Sequence, residues 1–284
     1  RYLFLKISVM KSFLVFLCLS AGNASSLVVP GRGLHPVDVG QNKVGVLRAT
    51  PTMAVGGALK VANGLRGGID FTTTIAPALG ASIANAMFLS GFGEIMKVRR
   101  EGKLGSFNPD PMPIIFGNCL GWLTYSFLSK DKYVAFANVP GVLLGVFYTM
   151  SVLRVAEPSK GKSLEKMMMA MTAIHVAAAT TCAFFLPDRA AMISLYGIVN
   201  NAILLMYYGA PLSTIGTVLA TKSADSIFFP TVLINGLNGL FWSVYAFAIK
   251  DMYLLAPNAI GAALATIQAL LCVVFGKFTK KKAE

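Results

Sequence analysis

Acidic side chains are scarce in this chain, 12 Asp and Glu in 284 residues against 25 Lys and Arg, and charged residues of both signs make up only 13% of it. Soluble domains carry about 25%, so water is not the main solvent of this protein. Histidine is rarer still: His35 and His175 belong to no partner motif. His175, in mid-span, is read as a packing residue, with a proton relay as the alternative. The four cysteines, Cys18, Cys119, Cys182 and Cys272, lie in apolar segments without CxxC spacing, which argues against a disulfide framework and a zinc site. No nucleophile–base set or metal cluster stands out. The sequence therefore predicts no enzyme, no metal and no cofactor.

What the chain has is apolar length. It is 55% hydrophobic with a mean hydropathy of +0.66. A bilayer core of ~30 Å needs roughly 20 mostly apolar residues per helical span, and seven such stretches are predicted: 72–97, 110–129, 132–154, 166–186, 190–220, 226–249 and 252–276. They lack the period-2 alternation of barrel strands, so the spans are helices. The net charge of +13 is distributed as a topology rather than as a nucleic-acid surface. With the N-terminus outside, 13 Lys and Arg fall on the cytosolic side (Lys97, Arg99, Arg100, Lys103, Arg154, Lys160, Lys162, Lys166, Lys222, Lys277, Lys280, Lys281, Lys282) and four opposite (Lys130, Lys132, Arg189, Lys250). Glu94, the one acid inside a span, is followed by Lys97, Arg99 and Arg100 and is assigned to the interface.

The strongest internal signal is a repeat. Asn118–Leu144 and Asn238–Leu264 are identical at 11 of 27 positions at an offset of 120, including Asn118/Asn238, Trp122/Trp242, Lys130/Lys250, Asp131/Asp251, Asn138/Asn258 and Gly141/Gly261. Such self-similarity decides the architecture. Spans 2–3 recur as spans 6–7, which implies a three-span unit, a linking span and a second three-span unit. Three is odd, so a directly appended copy would be inverted; one extra crossing restores the orientation and makes the copies parallel repeats. The predicted fold is an all-α integral membrane protein whose seven transmembrane helices form two parallel three-helix bundles joined by a linker helix. The repeats are placed at 71–156 and 188–276, the linker at 157–187 and a basic cytosolic tail at 277–284.

The N-terminal region reads as targeting sequence. Met10 is a plausible start, and Lys11, the apolar run Ser12 to Leu19 and the small residues from Ala21 to Ser26 resemble a signal peptide over 1–26. Residues 27–70 are basic and acid-poor, like a transit peptide. Together they resemble the two-part presequence of plastid proteins in algae with secondary plastids, ASSL at Ala24 to Leu27 standing near their cleavage motif. An ordinary secretory signal followed by a disordered tail is the alternative. The membrane stays open between the plastid envelope and the plasma membrane or endomembranes.

The run YGAPLSTIGTVLATKSADSIFFP from Tyr208 to Pro230 and the following NGLFWSVYAFAIKDMYLLAPNAIGA resemble the second half of a SWEET sugar transporter; GNCLGWLTYSFLSKDKYVAFANVPGVLLGVFY is similar to the first half. The resemblance covers about residues 76 to 276. From the turns at Lys130-Asp131 and Lys250-Asp251, the Trp and Asn of each copy lie at one depth, roughly 10–12 Å away. That is near the midplane, where transporter sites at repeat interfaces are expected. Asn118 and Asn238 fall slightly deeper on the tryptophan face. Amides both donate and accept as sugar hydroxyls do, and indoles suit the C–H faces of a pyranose. Interhelical packing is the structural alternative. The resemblance implies that Trp122, Trp242, Asn138 and Asn258 are substrate-pocket residues, flanked by Asn118 and Asn238.

The resemblance also implies proline hinges near the gates, matched by Pro211 and Pro230. In the first half Gly91, within SGFG, stands where a proline is usual, and Pro109, Pro111 and Pro113 compete for the other position, with Pro111 taken. With no carboxylate or histidine beside the pocket residues, the expected function is bidirectional, uncoupled, low-affinity sugar transport by alternating access. A carrier of amino or organic acids of the same repeat type is the second reading and a seven-span receptor a remote third. The expected partners are a small neutral mono- or disaccharide and membrane lipid, not nucleic acid; homo-oligomerisation is left open.

Overall fold

The computed structural model describes residues 70–275. Cys18, His35, the expected signal and transit-like segments and the basic tail lie outside the described residues. Within them the chain is helical: a π-turn Phe71–Ile75, α1 Ala76–Ser90, α2 Phe92–Glu101, α3 Pro111–Ser129, α4 Lys132–Leu153, α5 Pro158–Phe185, α6 Arg189–Thr221, α7 Phe229–Ile249 and α8 Met252–Val274. The π-turn, α1 and α2 run on as one span, Phe71–Glu101, broken at Gly91.

Six spans are long and apolar enough to cross a membrane: Phe71–Glu101, α4, α5, α6, α7 and α8. The seventh expected helix is α3, 19 residues long, which packs on α4, α5 and α6 and buries Gly117, Cys119, Gly121, Trp122, Tyr125 and Ser126. A helix enclosed by protein can carry polar residues that lipid would penalise. The departure is α5, which starts at Pro158, eight residues before the expected 166. Proline is well placed at a first helical position, and the polar turns after it extend the helix beyond the stretch that hydropathy detects.

Helix packing repeats the sequence duplication. In the first repeat α4 packs against both α1 and α3; in the second α8 packs against both α6 and α7. Across the repeats α1 meets α7 and α6 meets α3, a reciprocal pattern. Position 80 of α1 is glycine, and its backbone lies so close to the Trp242 indole that a Cβ would sit 3.0 Å from Nε1. The matching position of α6 is Asn200, which seats over Gly121. Both Lys-Asp turns lie at one end of the bundle, because side chains near each reach the other, so the repeats are parallel.

The core is divided unevenly. Near the Lys-Asp turns one cluster joins Trp122, Tyr125 and Val134 to Trp242, Tyr245 and Leu254 and thus spans both repeats. Away from the turns the clusters are separate, Ile95, Tyr148 and Val152 of the first repeat with Leu164 of the linker, and Val218, Ile227, Val232 and Cys272 of the second repeat. Buried side chains of the two repeats thus share a cluster at the turn end and fall into separate clusters at the other. Outward-facing apolar side chains such as Phe127, Phe184 and Phe247 are more than 70% exposed, as lipid contact requires. This is an integral multi-pass membrane protein.

Candidate functional site

The Lys-Asp turns are built alike. Lys130 and Lys250 end α3 and α7 in the left-handed region, both at φ 60°, a position more often given to glycine. Asp131 then starts α4, its Oδ1 accepting from the Tyr133 and Val134 N–H groups at 2.9 and 3.1 Å, and Asp251 starts α8 by accepting from Leu254 N–H at 3.0 Å. These are N-caps. The second carboxylate oxygen of each reaches across the molecule. Tyr125 donates its hydroxyl to Asp251 Oδ2 at 2.7 Å, and Tyr245 donates to Asp131 Oδ2 at 2.8 Å. The two repeats are thus clasped by reciprocal, charge-assisted hydrogen bonds, each worth roughly 1.5–3 kcal/mol.

The tryptophans stand beside this clasp. Trp122 meets Tyr125 edge-on at 5.3 Å between ring centroids, and Trp242 meets Tyr245 at 6.1 Å. Both indoles are buried, at 5% and 6% exposure.

The asparagines also match across the repeats. Asn138 donates Nδ2 to the Val134 carbonyl and Asn258 to the Leu254 carbonyl, both at 2.8 Å. Holding Nδ2 on their own helix leaves Oδ1 to accept from elsewhere. One turn deeper, Asn118 Oδ1 and Asn238 Oδ1 are buried without a partner among the described residues. A buried acceptor left unpaired costs about 1–3 kcal/mol, so the same cost is carried at the same place twice.

A cavity of about 360 Å³ lies among α6, α7 and α8, and Pro211, Asn235, Asn238, Asn258 and Gln268 are in its wall. The structure therefore brings Asn238, Asn258 and Pro211 together and does not bring Asn118, Asn138, Trp122 or Trp242 into the same lining. The first repeat's counterpart is filled. Gly141 is packed against Cys119 and Phe88, whereas a Cβ on Gly261 would find its nearest neighbour, Tyr208, at 4.0 Å. Tyr148, itself buried, donates to the Phe88 carbonyl at 2.7 Å.

The expected hinges fall into two kinds. Pro211 is inside α6, and Gly91 separates α1 from α2. Pro111 and Pro230 sit in the first turns of α3 and α7, where the missing N–H breaks no helical bond. Sequence reading missed two interior prolines, Pro140 in α4 and Pro257 in α8. They lie 117 residues apart, off the 120 offset that reveals the other pairs. It also passed over Tyr125 and Tyr245, an identical pair at that offset without a local reason to be kept.

His175 takes a packing role: Nε2 donates to the Gly117 carbonyl at 2.7 Å and the ring stacks on Tyr196. Cys119, Cys182 and Cys272 are buried and form no disulfide among the described residues.

With this geometry in place, comparison identifies the family. The model of a family described as a sugar efflux transporter for intercellular exchange matches residues 77–159 and 194–283, once for each repeat. The chain belongs to the SWEET family. It is similar to the sugar transporter SWEET1 of Caenorhabditis elegans, at 28% identity over 191 residues, which is 66% of this chain and 61% of the relative. It is also similar to the bidirectional sugar transporter SWEET5 of Arabidopsis thaliana, at 27% identity over 72% of this chain and 87% of that one. A solved eukaryotic SWEET transporter superposes with a TM-score of 0.66 at 20% identity, covering 73% of this chain and 98% of the other. SWEET proteins are sugar transporters rather than enzymes, and that class applies here.

Proposed function

We propose that this SWEET protein equilibrates a small neutral sugar across its membrane in both directions by facilitated diffusion. The observation that carries the reading is the chemistry of the cavity: its polar groups are amides and tyrosine hydroxyls, and no Asp, Glu, Lys, Arg or His lines it. Such a wall suits hydroxyls. A carrier of amino or organic acids would need a countercharge there, so the second reading is disfavoured.

The mechanism follows from two ends with different bonding. At the turn end the Tyr125–Asp251 and Tyr245–Asp131 bonds and a shared core hold the repeats together. At the other end the repeats keep separate cores. By the distribution of Lys and Arg the end with separate cores faces the cytosol, and we assign it as the side from which sugar enters this state. Sugar bound at Asn238 and Asn258 lies below Trp242, which packs on Tyr245 of the clasp. Closing the repeats around it would engage Asn118 and Asn138 from the opposite side and load the tryptophans. The clasp then breaks, with Pro211 and Gly91 taking up the bend. No Asp, Glu, Lys, Arg or His lines the cavity, which supports uncoupled transport.

Uptake of labelled glucose and sucrose into proteoliposomes of the full chain tests this. The expected result is equilibration in both directions without a proton or sodium gradient. No flux above empty liposomes refutes sugar transport, and flux only with a gradient refutes the uncoupled mechanism.

A further inference from the structure

The cavity is longer than the site just described. Asn258 and Gln268 are ten residues apart on α8, a rise of ~15 Å, and both are in its wall. A single pyranose ring does not span that length. On the same face of α8 between them lie Gly261, Leu264 and Ala265, which offer an apolar floor for sugar C–H groups. The α7 wall continues likewise: Asn235 is one turn before Asn238 on the same face.

The two ends differ in their relation to the duplication. At the near end Asn258 and Asn238 have asparagine counterparts in Asn138 and Asn118. At the far end the positions of Asn235 and Gln268 are held in the first repeat by Ile115 and Tyr148, and Tyr148 fills its space and bonds Phe88. Gln268 is 8% exposed, and the one bond it makes, from Nε2 to the Pro211 carbonyl, is 3.4 Å long, beyond the usual range for N–H···O. A buried amide held so weakly gains from a second partner.

We propose that Asn235 and Gln268 form a second hydroxyl-binding subsite, made by the second repeat alone, which takes the second ring of a neutral disaccharide while Asn238 and Asn258 hold the first. The inference rests on the sugar reading and adds to it a substrate class and two specificity residues. Each amide supplies a donor and an acceptor to adjacent hydroxyls, and the absence of charged groups in the lining excludes a sugar phosphate or a uronic acid as the better fit.

The test is equilibrium competition on the purified full chain, with labelled glucose displaced by unlabelled glucose or by sucrose. Asn235→Ile and Gln268→Tyr copy the first repeat's residues into the second. Losing a hydrogen bond of about 0.5–1.5 kcal/mol changes affinity by up to roughly tenfold, so the ratio of sucrose to glucose affinity is expected to fall by up to about tenfold in each. If bulk at position 268 prevents folding, Gln268→Leu and Asn235→Ala give the same ratio. A ratio unchanged in both positions overturns the inference, as does a fall carried by glucose instead of sucrose, or wild-type protein that binds glucose but not sucrose. Wild-type protein that binds neither sugar contradicts the underlying sugar reading, a distinct outcome.

Discussion

Gly141 and Gly261 are the same residue of two copies, yet their surroundings are opposite. Cys119 and Phe88 press on the first, while the second faces open space with Tyr208 4.0 Å from where a Cβ would stand. Among the features that duplication kept identical are those that hold the two halves together: the left-handed Lys, the capping Asp and the clasping Tyr. The space beside Asn138 and Asn258 was free to diverge. One repeat fills it and the other leaves it hollow, so the frame is symmetric and the cavity belongs to one side.

Three sets of variants probe this contrast, in decreasing order of expected effect. Gly121→Ala would drive a methyl into the Asn200 amide and toward His175, and overpacking of this kind costs up to ~3 kcal/mol. A clear fall in Tm of the detergent-solubilised protein is expected, with partial recovery on adding Asn200→Gly, which copies Gly80. Next, Tyr125→Phe and Tyr245→Phe each remove one clasp bond worth about 2 kcal/mol, roughly a 30-fold shift toward opening at the turn end. Spin labels at Lys132 and Met252, both exposed, should report similar gains in the separated population for the two variants. A response from one tyrosine only would show that the clasp is not symmetric. The smallest effect separates the glycines themselves: Gly141→Ala should destabilise by about 1–2 kcal/mol, whereas Gly261→Ala should be neutral or slightly stabilising, since alanine favours helix. Equal thermal shifts would erase the proposed difference between filled and hollow repeats.

Much of the fold was legible because the signals are local or periodic. Apolar runs mark the spans, and the 120-residue offset gives two parallel bundles and a linker. What was not legible depends on neighbours distant in sequence. The first turns of α5, from Pro158, are polar and lie outside the apolar run that marks its span. Asn138 and Asn258 look equivalent in sequence and bond alike within their helices, but whether a cavity lies beside them is decided by Phe88 and Tyr148 in one copy and by Tyr208 and Gln268 in the other. Tyr125 and Tyr245 were visible as identities, yet their partners, Asp251 and Asp131, are 126 and 114 residues away. Pro140 and Pro257 escaped because they do not share the offset.

Whether sugar binds in the second repeat's cavity is decided by glucose binding to purified wild-type, Asn258→Ala and Asn138→Ala proteins. In the state with the turn end closed, Asn258→Ala is predicted to weaken binding by roughly tenfold and Asn138→Ala by clearly less. Binding that is insensitive to Asn258→Ala, or more sensitive to Asn138→Ala, would contradict it.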